Sequence, residues 1–199
     1  MAKIMAVENI SLDGVMQSPG RPDEDTRGGF DRGGWASQLL AADPEAAMAA
    51  MSGQGRTAAM LFGHRTYLDL VGHWLGTDEP NPFTEILRAT PKYVASRSAS
   101  TSLEHPNSEL LTPDADGDAV ASVRALKATL EGDVVVLGSG ELVRSLAAAG
   151  LIDEYLLTIL PVVLGRGARL FDGYAPLEVR SSWTSTTGIV VGTFAVAAA

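Results

Sequence analysis

No cysteine occurs among the 199 residues, which removes disulfides, thiolate metal sites and thiol nucleophiles from consideration. Positive charge is also short: 15 Lys and Arg face 24 Asp and Glu, a formal charge of −9. The basic footprint that nucleic-acid binding requires is therefore missing. The opening stretch, Met1 to Glu8, has one cation and only the apolar run Ile4 to Val7 before an acid, so it reads as neither a secretory signal nor a membrane span. Together these traits suit a reducing cytoplasm, the expected location. His64, His73 and His105 lack metal-ligand spacing, and no H-E-x-x-H is present, so no metal site is expected. The phosphate loop G-x-x-x-x-G-K-[ST] and the G-x-S-x-G nucleophile elbow are absent as well. With 46% hydrophobic residues, no internal repeat and no low-complexity tract, the chain is expected to form one globular domain over residues 1–199.

What is present is an alternation of strand and helix patterns. Strands are expected at Lys3 to Ile10, Ala58 to Phe62, Lys92 to Ser96, Asp133 to Leu137 and Glu154 to Leu160. A closing hairpin is expected from Val179 to Thr186 and Ile189 to Ala197 around Gly188. Helices are expected at Trp35 to Met51 with a break near Asp43-Pro44, from His64 toward Trp74, at Asp118 to Leu130, and from Glu141 to a stop at Gly150. Pro80 and Pro82 read as loop. The stretch from Ser11 to Gly34, rich in Gly, Asp, Arg and Pro, reads as a mobile binding loop. This order implies an α/β fold with a mainly parallel sheet and an antiparallel C-terminal edge.

Three of the strand ends share a chemistry. Gly63-His64-Arg65-Thr66, Ser96-Arg97-Ser98 and Gly138-Ser139-Gly140 each put small, hydroxylated or cationic residues past a carboxyl end, where open α/β sheets bind ligands. In the last, the run Asp133 to Leu137 meets glycines and then a helix start at Glu141 and Leu142. Backbone amides can approach an anion there, and the helix dipole stabilises its charge. Each turn has a plain alternative as a cap or tight turn. The dinucleotide fingerprint fails, since Val143 stands where its third glycine would fall.

The order of these motifs resembles the dihydrofolate reductase superfamily, and more closely the branch containing the reductase domain of the bifunctional riboflavin biosynthesis enzyme. The matching pieces are Ser11-Leu12-Asp13-Gly14, Phe62-Gly63-His64-Arg65-Thr66-Tyr67, Tyr93-Val94-Ala95-Ser96-Arg97, Leu137-Gly138-Ser139-Gly140 and Pro161 through Phe171. The resemblance implies a three-layer α/β/α reductase using NADPH. It implies that Gly63, His64, Arg65 and Thr66 lie by the cofactor phosphates, that Ser96 and Arg97 meet the adenosine 2′-phosphate, and that Leu137, Gly138, Ser139, Gly140, Glu141 and Leu142 wrap the pyrophosphate. Ala6, Val7 and Gly14 would border the nicotinamide. Asp13, Trp35, Leu39 and Tyr155 would face a small-molecule substrate, with Asp13 the catalytic candidate. Its carboxyl could orient a polar ring, or donate a proton if its pKa is raised; the alternative is an Asx-turn with Gly14. Trp35 likewise reads either as core or as a cover for a ring. A homodimer is implied too.

One departure narrows the substrate. The helix starting at Trp35 offers Ala36, Ser37 and Gln38 where dihydrofolate reductases carry the acid that binds the pterin, so folate reduction is disfavoured. Two readings follow: hydride transfer to a small pyrimidine- or pterin-like heterocycle, or non-catalytic binding of a nucleotide or flavin-like ligand on the same fold.

Overall fold

Apolar runs bounded by turn residues become the strands, as expected. The computed structural model describes residues 2–52, 57–113 and 117–197. Its strands are β1 (Ile4–Ser11), β2 (Thr57–Gly63), β3 (Lys92–Ala95), β4 (Ser108–Leu111), β5 (Asp133–Leu137), β6 (Glu154–Leu160), β7 (Leu177–Thr184) and β8 (Val190–Val196). They form one eight-stranded sheet in the order β4-β3-β2-β5-β1-β6-β8-β7. Pairing is parallel for β4-β3, β3-β2 and β2-β5, and antiparallel for β6-β8 and β8-β7. The mostly parallel sheet with an antiparallel C-terminal edge is thus the observed fold class. By internal contacts the chain divides into two units, Met1–Met5 with Arg56–Leu151, and Ala6–Gly55 with Ile152–Ala199.

In the first unit, Ala59 to Phe62 and Val134 to Val136 are fully buried, as strands covered on both faces must be. Helices α3 (His64–Thr66) and α4 (Gly72–Leu75) flank a π-helical turn, Tyr67–Val71, so the helix expected toward Trp74 contains one wider turn. Pro82 does not lie in a loop. It opens helix α5 (Pro82–Ala89), where Asn81 and Thr84 form a reciprocal capping box and the missing N–H of proline costs nothing at the first position. The fully buried Lys92 closes the other end, donating from Nζ to the carbonyls of Leu87 at 2.7 Å and Thr90 at 2.9 Å. Strand β4 was not expected. Its Ser-Glu-Leu-Leu sequence has weak strand propensity, and its parallel pairing with β3 imposes the conformation. Helices α6 (Val120–Thr129) and α7 (Gly140–Ala148) follow.

In the second unit the break near Asp43-Pro44 divides α1 (Trp35–Ala41) from α2 (Pro44–Ser52). Asp43 accepts the Ala46 N–H at 3.0 Å and a hydroxyl bond from Thr187, so it starts α2 and ties it to the β7–β8 turn. The core here gathers Val15, Phe30, Trp35, Ala36, Ala46, Leu160, Leu164 and Ile189. The stretch expected as a mobile loop has little regular structure but is pinned by inward-facing polar groups, with Gln17 and Ser18 buried. Among the described residues no helix is long and apolar enough to cross a membrane.

Candidate functional site

The first unit carries the turns singled out for anion chemistry. Because β3, β2 and β5 are consecutive parallel neighbours, with Gly63 level with Ala95 and Leu61 level with Val136, the three turns emerge side by side at one edge. After β5 the chain reverses through two left-handed residues, Gly138 (φ 58°) and Ser139 (φ 65°). Glycine suits the first, since its φ is positive and a Cβ there would lie a tight 3.2 Å from Thr66 Cγ2. Ser139 pays a strain of about 1 kcal/mol for that conformation, and its hydroxyl accepts the Gly63 N–H at 2.8 Å. This bond joins the ends of β2 and β5. The α7 ladder begins with Val143 N–H to Ser139 O at 2.9 Å, and a helix's first turn presents amides that lack intrahelical acceptors.

Around this turn Arg65 is exposed, while His64, Thr66 and Leu142 are half-buried. Leu137 is buried, so only its backbone faces the turn. Ser96 is occupied locally: its hydroxyl bonds Thr101 Oγ1 at 2.7 Å and takes the Ser98 N–H at 3.2 Å. Arg97 reaches Glu141 in the first turn of α7, Nη2 to Oε2, at 2.9 Å. The Glu141 carboxylate therefore lies on the guanidinium expected to meet a phosphate.

The second unit holds Asp13. In the turn Ser11 to Val15, the Gly14 N–H bonds Ser11 O and the Ser11 N–H bonds Val15 O, both at 2.9 Å. Ser11 Oγ accepts the Val15 N–H at 2.9 Å and donates to Asp13 Oδ1 at 2.7 Å. The two Asp13 oxygens take the backbone N–H groups of Leu164 (3.0 Å) and Gly165 (2.8 Å). The Leu164 amide, then the Ser11 hydroxyl, outweigh the effect of burial and hold the carboxyl at a pKa of about 2. The proton-donor reading required a raised pKa, and the pKa is lowered instead; the turn is closed by Ser11 Oγ on the Val15 N–H, while the Asp13 carboxylate accepts from Ser11, Leu164 and Gly165.

Gln17 organises the neighbouring loops. Its Nε2 donates to the carbonyls of Asp25 (3.1 Å) and Arg27 (2.9 Å), and its Oε1 accepts the Ala168 N–H at 2.9 Å. Gly167 (φ 119°) packs so closely that a Cβ would sit 2.7 Å from Val15 Cγ1 and 2.9 Å from Phe30 Cε2. A cavity of about 250 Å³ opens beside it, lined by Gln17, Arg27, Gly28, Phe30, Arg166 and Gly167 among others. Arg166 pairs with Asp31, and Arg27 with Asp25.

Other expected substrate residues are placed differently. Trp35 is buried in the core, with its Nε1–H on Gln17 O at 2.9 Å, and Tyr155 is buried edge-on to Phe171 with centroids 5.1 Å apart. Neither ring is exposed, and for Trp35 this is the core reading given above. Leu39 packs half-buried against the core cluster. Ala6 exposes no side-chain surface and Val7 is half-buried in β1, whereas Gly14 (φ 78°) has open space where a Cβ would stand. Gln17 and the Leu164–Ala168 amides were not anticipated as a polar network. The sequence signal for it is the Leu164-Gly165-Arg166-Gly167 run inside the matching piece Pro161 through Phe171, which names no partner.

Comparison with known proteins agrees with this architecture. A curated relative, YyaP of Bacillus subtilis (strain 168), is 31% identical over 139 residues, covering 66% of this chain and 70% of its own. The structure of a diaminohydroxyphosphoribosylaminopyrimidine deaminase/5-amino-6-(5-phosphoribosylamino)uracil reductase from Thermotoga maritima superposes with a TM-score of 0.62 at 15% identity, covering 98% of this chain and 57% of that one. Dihydrofolate reductase from Enterococcus faecalis, complexed with NADP(H) and RAB-propyl, gives a TM-score of 0.56 at 13% identity, covering 98% of this chain and 96% of that one. At these identities the two structures establish a shared fold. The sequence match to the RibD C-terminal domain spans residues 2–191, and with β1 through the start of β8 inside that span, the chain belongs to the RibD C-terminal domain family.

Proposed function

We propose that this protein is an NADPH-dependent reductase acting on a small, pyrimidine- or pterin-like heterocycle. The observation that carries the reading is the side-by-side emergence of the β3, β2 and β5 turns, with Gly63 bonded to Ser139. The residues there fit a dinucleotide's phosphates. Gly138 leaves a surface that a Cβ would fill against Thr66, the α7 amides and dipole favour an anion, and Arg65 and Arg97 supply exposed cations. Family membership and the NADP(H) named for the Enterococcus structure support the same cofactor. When bound, it supplies a hydride.

The protein's own part is binding and orientation. Arg97, Arg65 and the Gly138–Gly140 turn would hold the phosphate end. In the second unit Asp13, fixed by Leu164 and Gly165, would present a carboxylate that orders the turn bordering the substrate; with its pKa lowered, the proton that accompanies the hydride would come from solvent water. The pyrimidine named for the Thermotoga relative supports the substrate class. We further propose a homodimer; a monomeric mass in sedimentation at micromolar concentration would contradict it.

The test is calorimetric titration with NADPH and NADH, repeated with Arg97→Ala. Tight NADPH binding, weak NADH binding and loss of the preference in the variant are expected, followed by NADPH oxidation with one of a panel of pyrimidines and pterins. Failure to bind either cofactor would sink the reading. Binding without turnover across the panel would favour a non-catalytic nucleotide-binding role.

A further inference from the structure

Among the side chains gathered at the first unit's strand ends, one carries the wrong sign for a phosphate site. Glu141 stands in the first turn of α7, where the helix dipole already stabilises an anion. Its carboxylate also bonds the Arg97 guanidinium at 2.9 Å. Arg97 follows β3 and α7 follows β5, and β2 lies between them in the sheet. The two side chains therefore meet across the end of β2, spanning two strand spacings of roughly 4.8 Å each, above the turn that begins at Gly63. A negative group thus occupies both features that would attract a ligand's phosphate: the helix N-terminus and the cation beside it.

We propose that Glu141 is an internal competitor for Arg97 and sets the protein's discrimination between nucleotides with and without a 2′-phosphate. This rests on the reading of the strand-end turns as a phosphate site. A phosphate that takes Arg97 must displace the Glu141 carboxylate and then remain near it, whereas a nucleotide lacking that group leaves the pair intact. Both partners are well exposed, at 84% for Arg97 and 57% for Glu141, so exchange is inexpensive and the effect is graded. Exposed ion pairs of this kind correspond to changes of about two- to fivefold in an equilibrium constant.

The test is titration of the full chain with adenosine 2′,5′-bisphosphate and adenosine 5′-monophosphate, in the wild type, Glu141→Gln, Arg97→Ala and the double variant. Glu141→Gln should gain about two- to fivefold in affinity for the bisphosphate over and above any gain for the monophosphate. That gain should vanish in the Arg97→Ala background, since it acts through the guanidinium. Unchanged or weaker bisphosphate binding in Glu141→Gln would overturn the proposal by showing that the carboxylate does not compete, or that it aligns Arg97. An equal gain for both nucleotides would overturn it too, assigning Glu141 only a general repulsion. Bisphosphate binding that ignores Glu141 leaves the phosphate site standing, whereas failure of the wild type to bind either nucleotide removes the site and this inference together.

Discussion

The glycine turn after β5 and the Asp13 turn after β1 solve opposite problems. In the first unit, Gly138 and Ser139 shape a backbone surface whose cations, Arg65 and Arg97, lie exposed. There the Ser139 hydroxyl on Gly63 ties the ends of β2 and β5 together. In the second unit the polar groups turn inward: Asp13 is held by Ser11, Leu164 and Gly165, and Gln17 by Asp25, Arg27 and Ala168. The difference teaches that the first region leaves its cations at the surface, Arg97 in an exchangeable pair with Glu141, while the second commits its polar groups to holding its own loops. Substitutions in the first region should therefore change binding more than stability, and those in the second should do the reverse.

The largest expected effect tests the second region. Gly167→Ala forces a Cβ into Val15 and Phe30 at a positive φ, and should cost about 2–4 kcal/mol in urea unfolding. A cost below about 1 kcal/mol would mean the turn yields readily. Asp13→Asn comes next. The folded pKa of about 2 lies below the ordinary 3.8, so the stabilisation is fully present above pH 3.8 and lost as pH falls through 2. The shift corresponds to about 2 kcal/mol. The variant should lose roughly that much at neutral pH, and its stability should fall less steeply than the wild type's between pH 4 and 2. An unaltered acid limb would remove the carboxylate from the account.

Smaller effects are expected in the first region. Gly138→Ala meets Thr66 at 3.2 Å with φ 58°, a strain of about 1–2 kcal/mol. Its loss of nucleotide affinity, measured by calorimetry, should exceed what an equally destabilising second-unit variant shows. Arg97→Ala should leave the thermal midpoint nearly unmoved, because an exposed pair contributes about 0–1 kcal/mol, and yet abolish the preference for NADPH. A large drop in stability with binding intact would invert the contrast between the two regions.

The glycine turn was legible because its parts are contiguous: a buried Val run, two glycines and a helix start lie within a dozen residues. The α1–α2 break at Asp43-Pro44 and the terminal hairpin were legible for the same reason. Helix α5 is not legible because two prolines so close together suggest a loop, although proline at a first helical position is compatible with a cap at Asn81. Strand β4 was missed because its conformation comes from β3 rather than from its own residues. The roles of Trp35 and Tyr155 turned on burial, which an aromatic residue in a sequence does not reveal.

By itself, the sequence determined the order of strands and helices apart from β4 and α5, the glycine turn after β5 and the absence of thiol chemistry, since each depends on residue type and near neighbours. Tertiary structure alone decided the state of Asp13, because the amides that lower its pKa arrive from Leu164 and Gly165, 151 and 152 residues away. It also decided the partner of Arg97: Glu141 is 44 residues distant in sequence and meets it only because the sheet places β3 and β5 on either side of β2. Charge and hydrogen bonding act through space, so the chemistry of an ionisable group is settled by which distant segments the fold brings to it.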